Sequence, residues 1–146
     1  MLMTPTIPGL EVLFIAGFGP IPQNVADSQA FYQHTLGLPL KPMEGASDYL
    51  VADHDALDGA KHFALWPLHH AAVSCFGAEK WPDSHPVPQS WVEFEVQDLA
   101  TATDVLVNKG YQLLVANRLE PWGQSVTRLL APEGVLVGLT ITPWLR

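Results

Sequence analysis

The chain has 146 residues, and its 7 Lys and Arg against 15 Asp and Glu give a formal net charge of −8. That length is one ordinary domain, able to bury about 68–70% of the surface its unfolded form exposes without a disulfide or a structural metal, and that charge excludes a phosphate-backbone partner, which needs clustered cations. Apolar residues at 48% with charged residues at only 15% leave room for a greasy pocket or a subunit interface, while prolines, glycines and charges cut every apolar run short of the ~20 residues a membrane span needs.

The amino-terminal stretch "MLMTPTIPGLEVLFIAGFGP" has neither the basic start nor the small-residue cleavage site of a signal peptide, and the single Cys75 has no partner for an internal disulfide. A cytoplasmic protein is expected. "LFIAGFGP" begins as a strand and turns at its prolines. A helix then opens at Asn24, whose side chain can accept from the free amides of the first turn, carries Phe31 and Tyr32, and stops near Gly37. "DYLVAD" and "KHFALWPL" follow as strand candidates, and "FGAEKWPDSHPVPQS", residues 76–90, reads as a linker.

The order then recurs about half the chain later. "WVEFEV" is a strand, Asp98 a helix cap, Leu99, Ala102 and Leu106 one apolar stripe, and Gly110 a stop. "YQLLVAN", "SVTRLLA" and "GVLVGLTI" complete the second set of strands. Each half reads as βαβββ. The expected fold is therefore α+β, with two tandem βαβββ modules forming a curved, antiparallel-rich sheet around a concave cleft, helices on one face and the other left open.

With "NVADSQAFYQHTLGL", "VEFEVQDLATATDVLVNKGY" and "EPWGQSVTRLLAPEGVLVGL" in this order, the chain resembles the vicinal oxygen chelate superfamily, which includes glyoxalase I, extradiol dioxygenases and the bleomycin-resistance proteins. The resemblance implies one such domain over residues 1–146, with module one over about 10–75, the linker over about 76–90 and module two over about 91–142. In the metal-dependent relatives, ligands project into the concave face from the first and last strands of each half. Laid on this chain, those positions fall on Gly17, on Phe63 or Leu65, on Trp91 and on Gly138, none of which has a side chain that ligates metal. No metal and no cofactor is expected on that basis, and the space at Gly17 and Gly138 is expected to admit an organic ligand. His62, at the start of a strand near the cleft, is the histidine placed to ligate, but one ligand does not make a site. His69 and His70, if on a strand, point to opposite faces, and His34, His54 and His85 read as surface residues.

In "SWVEFEV", Val92, Phe94 and Val96 should pack under the helices while Trp91, Glu93 and Glu95 face the open side. Glu93 is the candidate for any acid or base role. Trp91 and Trp122 are expected in a pocket, with Trp81 and Trp144 in a core or interface. Tyr49, Trp66, Arg128 and Thr140 complete the expected ligand-binding set with Gly17, Trp91, Glu93, Trp122 and Gly138. Arg128 either pairs with Glu93 or Glu95 across the sheet or anchors a ligand acid. Cys75, with no basic cluster near it, reads as a small buried hydrophobe.

No Ser-His-Asp signature, phosphate loop, GxGxxG or CxxC is present. The leading expectation is a metal-free binding protein similar to the bleomycin-resistance proteins, sequestering a planar aromatic compound that is neutral or cationic. The alternative is a metal-dependent glyoxalase-like lyase or isomerase, or an extradiol dioxygenase-like enzyme, with ligands outside the pattern above. A small-molecule ligand and a second copy of the chain are the expected partners. Nucleic acid and membrane are not. Open sheet edges, the linker and the tail "TITPWLR" supply the surface for a homodimer.

Overall fold

The structure, a computed structural model, describes residues 8–53 and 55–146; the expectations for His54 and for the first seven residues lie outside them. Module one runs β1 (Val12–Pro20), α1 (Val25–Gln29) continuing through a π-helical stretch (Ala30–Thr35), β2 (Lys41–Met43), β3 (Ala46–Asp53) and β4 (His62–Leu65). Module two runs β5 (Ser90–Val96), α3 (Leu99–Asn108), β6 (Val115–Leu119), β7 (Ser125–Leu130) and β8 (Leu136–Ile141). Helix α2 (Leu68–Phe76) lies between them, and a 3₁₀ turn (Pro143–Leu145) follows β8.

The local signals act as their chemistry requires. Asn24 Oδ1 accepts from the amide of Asp27 at 3.1 Å and Asp98 Oδ1 from the amide of Thr101 at 3.1 Å, each satisfying a donor that a helix start leaves unpaired. The backbone hydrogen bond from Thr101 is the main reason the Asp98 carboxyl sits below its usual range. Gly37 at φ 72° and Gly110 at φ 88° end their helices in the left-handed region.

All eight strands form one open sheet in the order β2-β3-β4-β1-β5-β8-β7-β6. Within each module the first and last strands pair in parallel, β1 with β4 and β5 with β8, and the remaining pairs are antiparallel. The modules meet along antiparallel β1 and β5, from Val12 opposite Val96 to Pro20 opposite Ser90, with two register shifts in β1. This is the α+β duplicated plan read from the chain.

Side-chain alternation divides the core. Leu50, Ala52, Phe63 and Leu65 pack with Tyr32 of the first helix, and Val96, Leu99, Ala102 and Leu139 pack with Phe94 and Leu106 around α3. Val51, Ala64, Trp66 and Trp91, on the opposite sheet face, pack with Ala71, Ala72 and Cys75 of α2 and with Trp81. Two expectations are corrected here. Phe63 and Leu65 face the helices, not the cleft, and the concave face is partly covered by a helix. The reason for α2 lies at its ends: Pro67 at φ −57° precedes its first turn and Gly77 at φ 77° follows its last, an asymmetry that favours a helix over a continued strand. His69 and His70 therefore lie on that helix rather than on a strand.

Cys75 is buried against this cluster, and burial pushes its thiol up to about 11. Trp81 is buried and its indole donates to the carbonyl of Pro86 at 3.0 Å. The tail folds back on its own chain: Arg146 Nε donates to Glu95 Oε2 at 2.7 Å and Arg146 Nη2 to the carbonyl of Val96, while the amide of Thr142 also donates to Glu95 Oε2. Glu95 is thus an internal anchor for the tail and does not face an open cleft. Among the described residues, no helix is long and apolar enough to cross a membrane.

Candidate functional site

The centre of the concave face is set by register. Glu93 on β5 stands opposite Gly17 of β1 on one side and Gly138 of β8 on the other. A Cβ at Gly138 would meet Glu93 Cγ at 3.0 Å and Arg128 Nη1 at 3.4 Å, and one at Gly17 would meet Trp91 Cη2 at 3.0 Å and His62 Cδ2 at 3.1 Å. The space at the two glycines is therefore filled by neighbouring side chains, which corrects the expectation that it is left for a ligand.

Those side chains form a connected floor. Arg128 Nη1 donates to Glu93 Oε2 at 2.9 Å, and Gln124 Nε2 donates to Glu93 Oε1 at 2.8 Å and to Thr140 Oγ1 at 2.7 Å. Trp122 Nε1 donates to Gln124 Oε1 at 2.8 Å, which orients that amide. The Arg128 guanidinium lies 4.7 Å from the centre of the Trp66 ring, Trp66 meets Trp91 edge to face at 6.0 Å, and Trp91 Nε1 donates to the carbonyl of Ala64 at 3.2 Å. Both oxygens of Glu93 are engaged, so its charge is balanced within the protein.

Above this floor opens a cavity of about 750 Å³. Tyr49, Trp66, Trp91 and Trp122 line it, as do His62, Glu93 and Arg128, whereas Gly17, Gly138 and Thr140 lie outside its lining. Trp144, expected in a core or interface, is 59% exposed and also lines it. Burial, with the Glu93 charge added to it and Arg128 opposing, pushes the Tyr49 phenol above its ordinary range, so that hydroxyl stays protonated and available to donate. Sequence reading missed Gln124, Glu120, His69 and His70. The alternation of Gln124 with Val126 and Arg128 along "QSVTR" was the available signal for the first.

Burial holds the His62 imidazole below its ordinary 6.5, against the opposing charges of Glu93 and Asp53. Between that lowered value and 6.5 the unfolded chain binds more protons than the folded one, so stability rises with pH across the window and is lost as pH falls through it. Denaturation at pH 7.5 and pH 5.5 is expected to show the native protein losing more stability on acidification than His62→Gln. Equal losses would show that His62 is not held neutral.

The positions that the resemblance assigns to metal ligands do not fit a metal. Among the described residues, the ligating side chains packed beside Gly17 and Gly138 are His62 and Glu93, and both Glu93 oxygens are committed to Arg128 and Gln124, whereas such a site takes three or four ligands.

No protein-family model and no curated protein matches the chain. Solved structures do. A glyoxalase/bleomycin resistance protein/dioxygenase superfamily member from Vibrio splendidus 12B01 superposes with a TM-score of 0.53 at 14% identity, over 90% of this chain and 97% of that one. The chain has the vicinal oxygen chelate fold. A methylmalonyl-CoA epimerase from Streptomyces coelicolor, in complex with 2-nitronate-propionyl-CoA, shares that fold with a TM-score of 0.52 at 19% identity, over 91% of this chain and 99% of that one. Within the vicinal oxygen chelate fold, the concave face is where Glu93, Arg128 and the tryptophans converge here.

Proposed function

We propose that the protein binds a planar aromatic small molecule, neutral or cationic, in the cavity between its two modules, without a metal at the family's ligand positions. The observation that carries this reading is the closed floor: Glu93 is satisfied by Arg128 and Gln124, while the exposed indoles of Trp122 and Trp144 stand on the lining with Tyr49, Trp66 and Trp91. Flat rings stack on such walls. The cavity lining holds five carboxylates, Glu44, Asp53, Glu79, Glu93 and Glu120, against three cationic side chains, Lys61, Arg118 and Arg128, which favours a cation over an anion.

Tryptophan fluorescence, titrated with flat aromatic cations, neutral compounds and acids, is the test. Saturable quenching by cations or neutral compounds is expected, and no response to any compound would remove the reading. Trp122 is the side chain to vary, because it is 53% exposed and its loss should spare the core. Trp122→Ala is expected to weaken binding by about tenfold, roughly 1.4 kcal/mol of stacking, with the denaturation midpoint lowered only by the loss of its hydrogen bond to Gln124. A second reading, a metal-dependent enzyme, draws support among the described residues from the Asp48–His69–His70 group, whose two histidines line the cavity.

For assembly, the reading is a homodimer. Exposed apolar side chains along β1, including Val12, Ile15 and Phe18, support a partner surface. Sedimentation at micromolar concentration is expected to give twice the 16.0 kDa chain mass; a mass of one chain with ligand binding intact would refute it.

A further inference from the structure

Helix α2 breaks the repeat between the modules, and its first turn carries two adjacent histidines. Successive residues on a helix point about 100° apart, yet both rings here turn toward one group. His69 Nε2 lies 2.6 Å from Asp48 Oδ2 and His70 Nε2 lies 2.9 Å from Asp48 Oδ1, with the two rings 4.3 Å apart. Asp48 comes from strand β3, so the three groups are held by two regular elements of the scaffold. Tyr49 meets the His70 ring edge to face at 6.1 Å and limits its rotation.

We propose that Asp48, His69 and His70 bind a divalent transition-metal ion on the wall of the cavity, away from the positions where the fold's metalloenzymes hold theirs. The three donor atoms all lie within 4.8 Å of one another. Ligands at about 2.0–2.2 Å from one ion stand roughly 3–3.5 Å apart in tetrahedral geometry, so small side-chain adjustments bring the set onto a common centre. Two imidazoles and one carboxylate select zinc, nickel, copper or iron over magnesium and calcium, which prefer all-oxygen sites.

Hydrogen bonding alone accounts poorly for the arrangement. The side chains of His69, His70 and Asp48 are 45%, 31% and 39% exposed, and partly solvated pairs of this kind return little stability for the side-chain freedom they lose. Both histidines line the cavity, as do Glu44 and Glu79, and a cavity rich in carboxylates raises the local concentration of cations. Three protein ligands leave a coordination position open. That position takes water or a donor atom from whatever occupies the cavity. The site does not depend on the aromatic-ligand reading.

The test is calorimetric titration of chelator-stripped full-length protein with zinc chloride, nickel chloride and magnesium chloride, with cobalt(II) absorption as a second readout. One equivalent of zinc per chain is expected, with no magnesium binding and cobalt bands in the visible range. His69→Ala and His70→Ala are each expected to weaken zinc binding by at least about tenfold, with unchanged circular dichroism, whereas His34→Ala and His85→Ala leave it intact. Absence of zinc binding, or zinc binding that survives the double variant His69→Ala/His70→Ala, would overturn the proposal. Loss of tryptophan quenching by aromatic compounds would not bear on it.

Discussion

Arg128→Met is expected to cost about 3–5 kcal/mol of folding stability, a large fraction of the roughly 5–15 kcal/mol a domain of this size possesses. Arg128 is 1% exposed and Glu93 9% exposed. Their contact at 2.9 Å balances a carboxylate that otherwise has Gln124 as its hydrogen-bond donor. Removing the guanidinium leaves a negative charge in a low-dielectric floor beneath aromatic walls, where desolvation is expensive. It also strips the Trp66 ring of its cation partner. Arg128→Met combined with Glu93→Leu is expected to regain most of the loss, because it removes both charges and fills the volume. Urea midpoints of the single and double variants decide the matter. A double variant no more stable than the single one would show that the pair's charge balance is not what holds the floor.

Gly19→Ala is expected to be nearly as damaging, at about 3 kcal/mol or more, the upper end of what overpacking costs. A Cβ at Gly19 would stand 2.0 Å from the carbonyl oxygen of Ala64, an atom that cannot rotate away. That same carbonyl accepts from Trp91 Nε1, so any shift of β4 also disturbs the wall of the cavity. The clash falls beside the parallel pairing of β1 with β4, where Phe18 stands opposite Phe63. Thermal unfolding of Gly19→Ala beside the native protein measures it, because Gly19 is not among the glycines held at positive φ and the clash is the change being tested. Equal midpoints for the two proteins would show that the close approach is not a constraint.

Helix caps, helix stops and most strands were legible because their causes are local. Asn24 and Asp98 act on amides three residues away, and Gly37 and Gly110 act through their own φ. The face assignment of "WVEFEV" was also legible for Trp91 and Glu93, since polar and apolar residues alternate there. The four residues of β4, "HFAL", carry no such alternation in their last three positions, and a short apolar strand leaves its register open. That is why Phe63 and Leu65 were assigned to the cleft when His62 faces it. Helix α2 was hidden by the apolar run "FALWPL", which reads as one strand until Pro67 is taken as a start signal. The convergence of His69 and His70 on Asp48, and of Gln124 on Glu93, joins residues 21 to 31 positions apart, a distance over which only tertiary packing decides who meets whom.

The seam between β1 and β5 makes the molecule divisible in principle. Residues 77–80 are exposed, and a chain broken there would yield two fragments, each with a strand edge that its counterpart completes. Neither fragment alone encloses the cavity, because Tyr49, His62 and Trp66 belong to one and Trp91, Trp122 and Arg128 to the other. A compound bound between them would act as a tether. Its affinity for the intact fold would appear, by mass action, as tighter reassembly of the halves, so that ligand recognition and fragment complementation become two readings of one equilibrium.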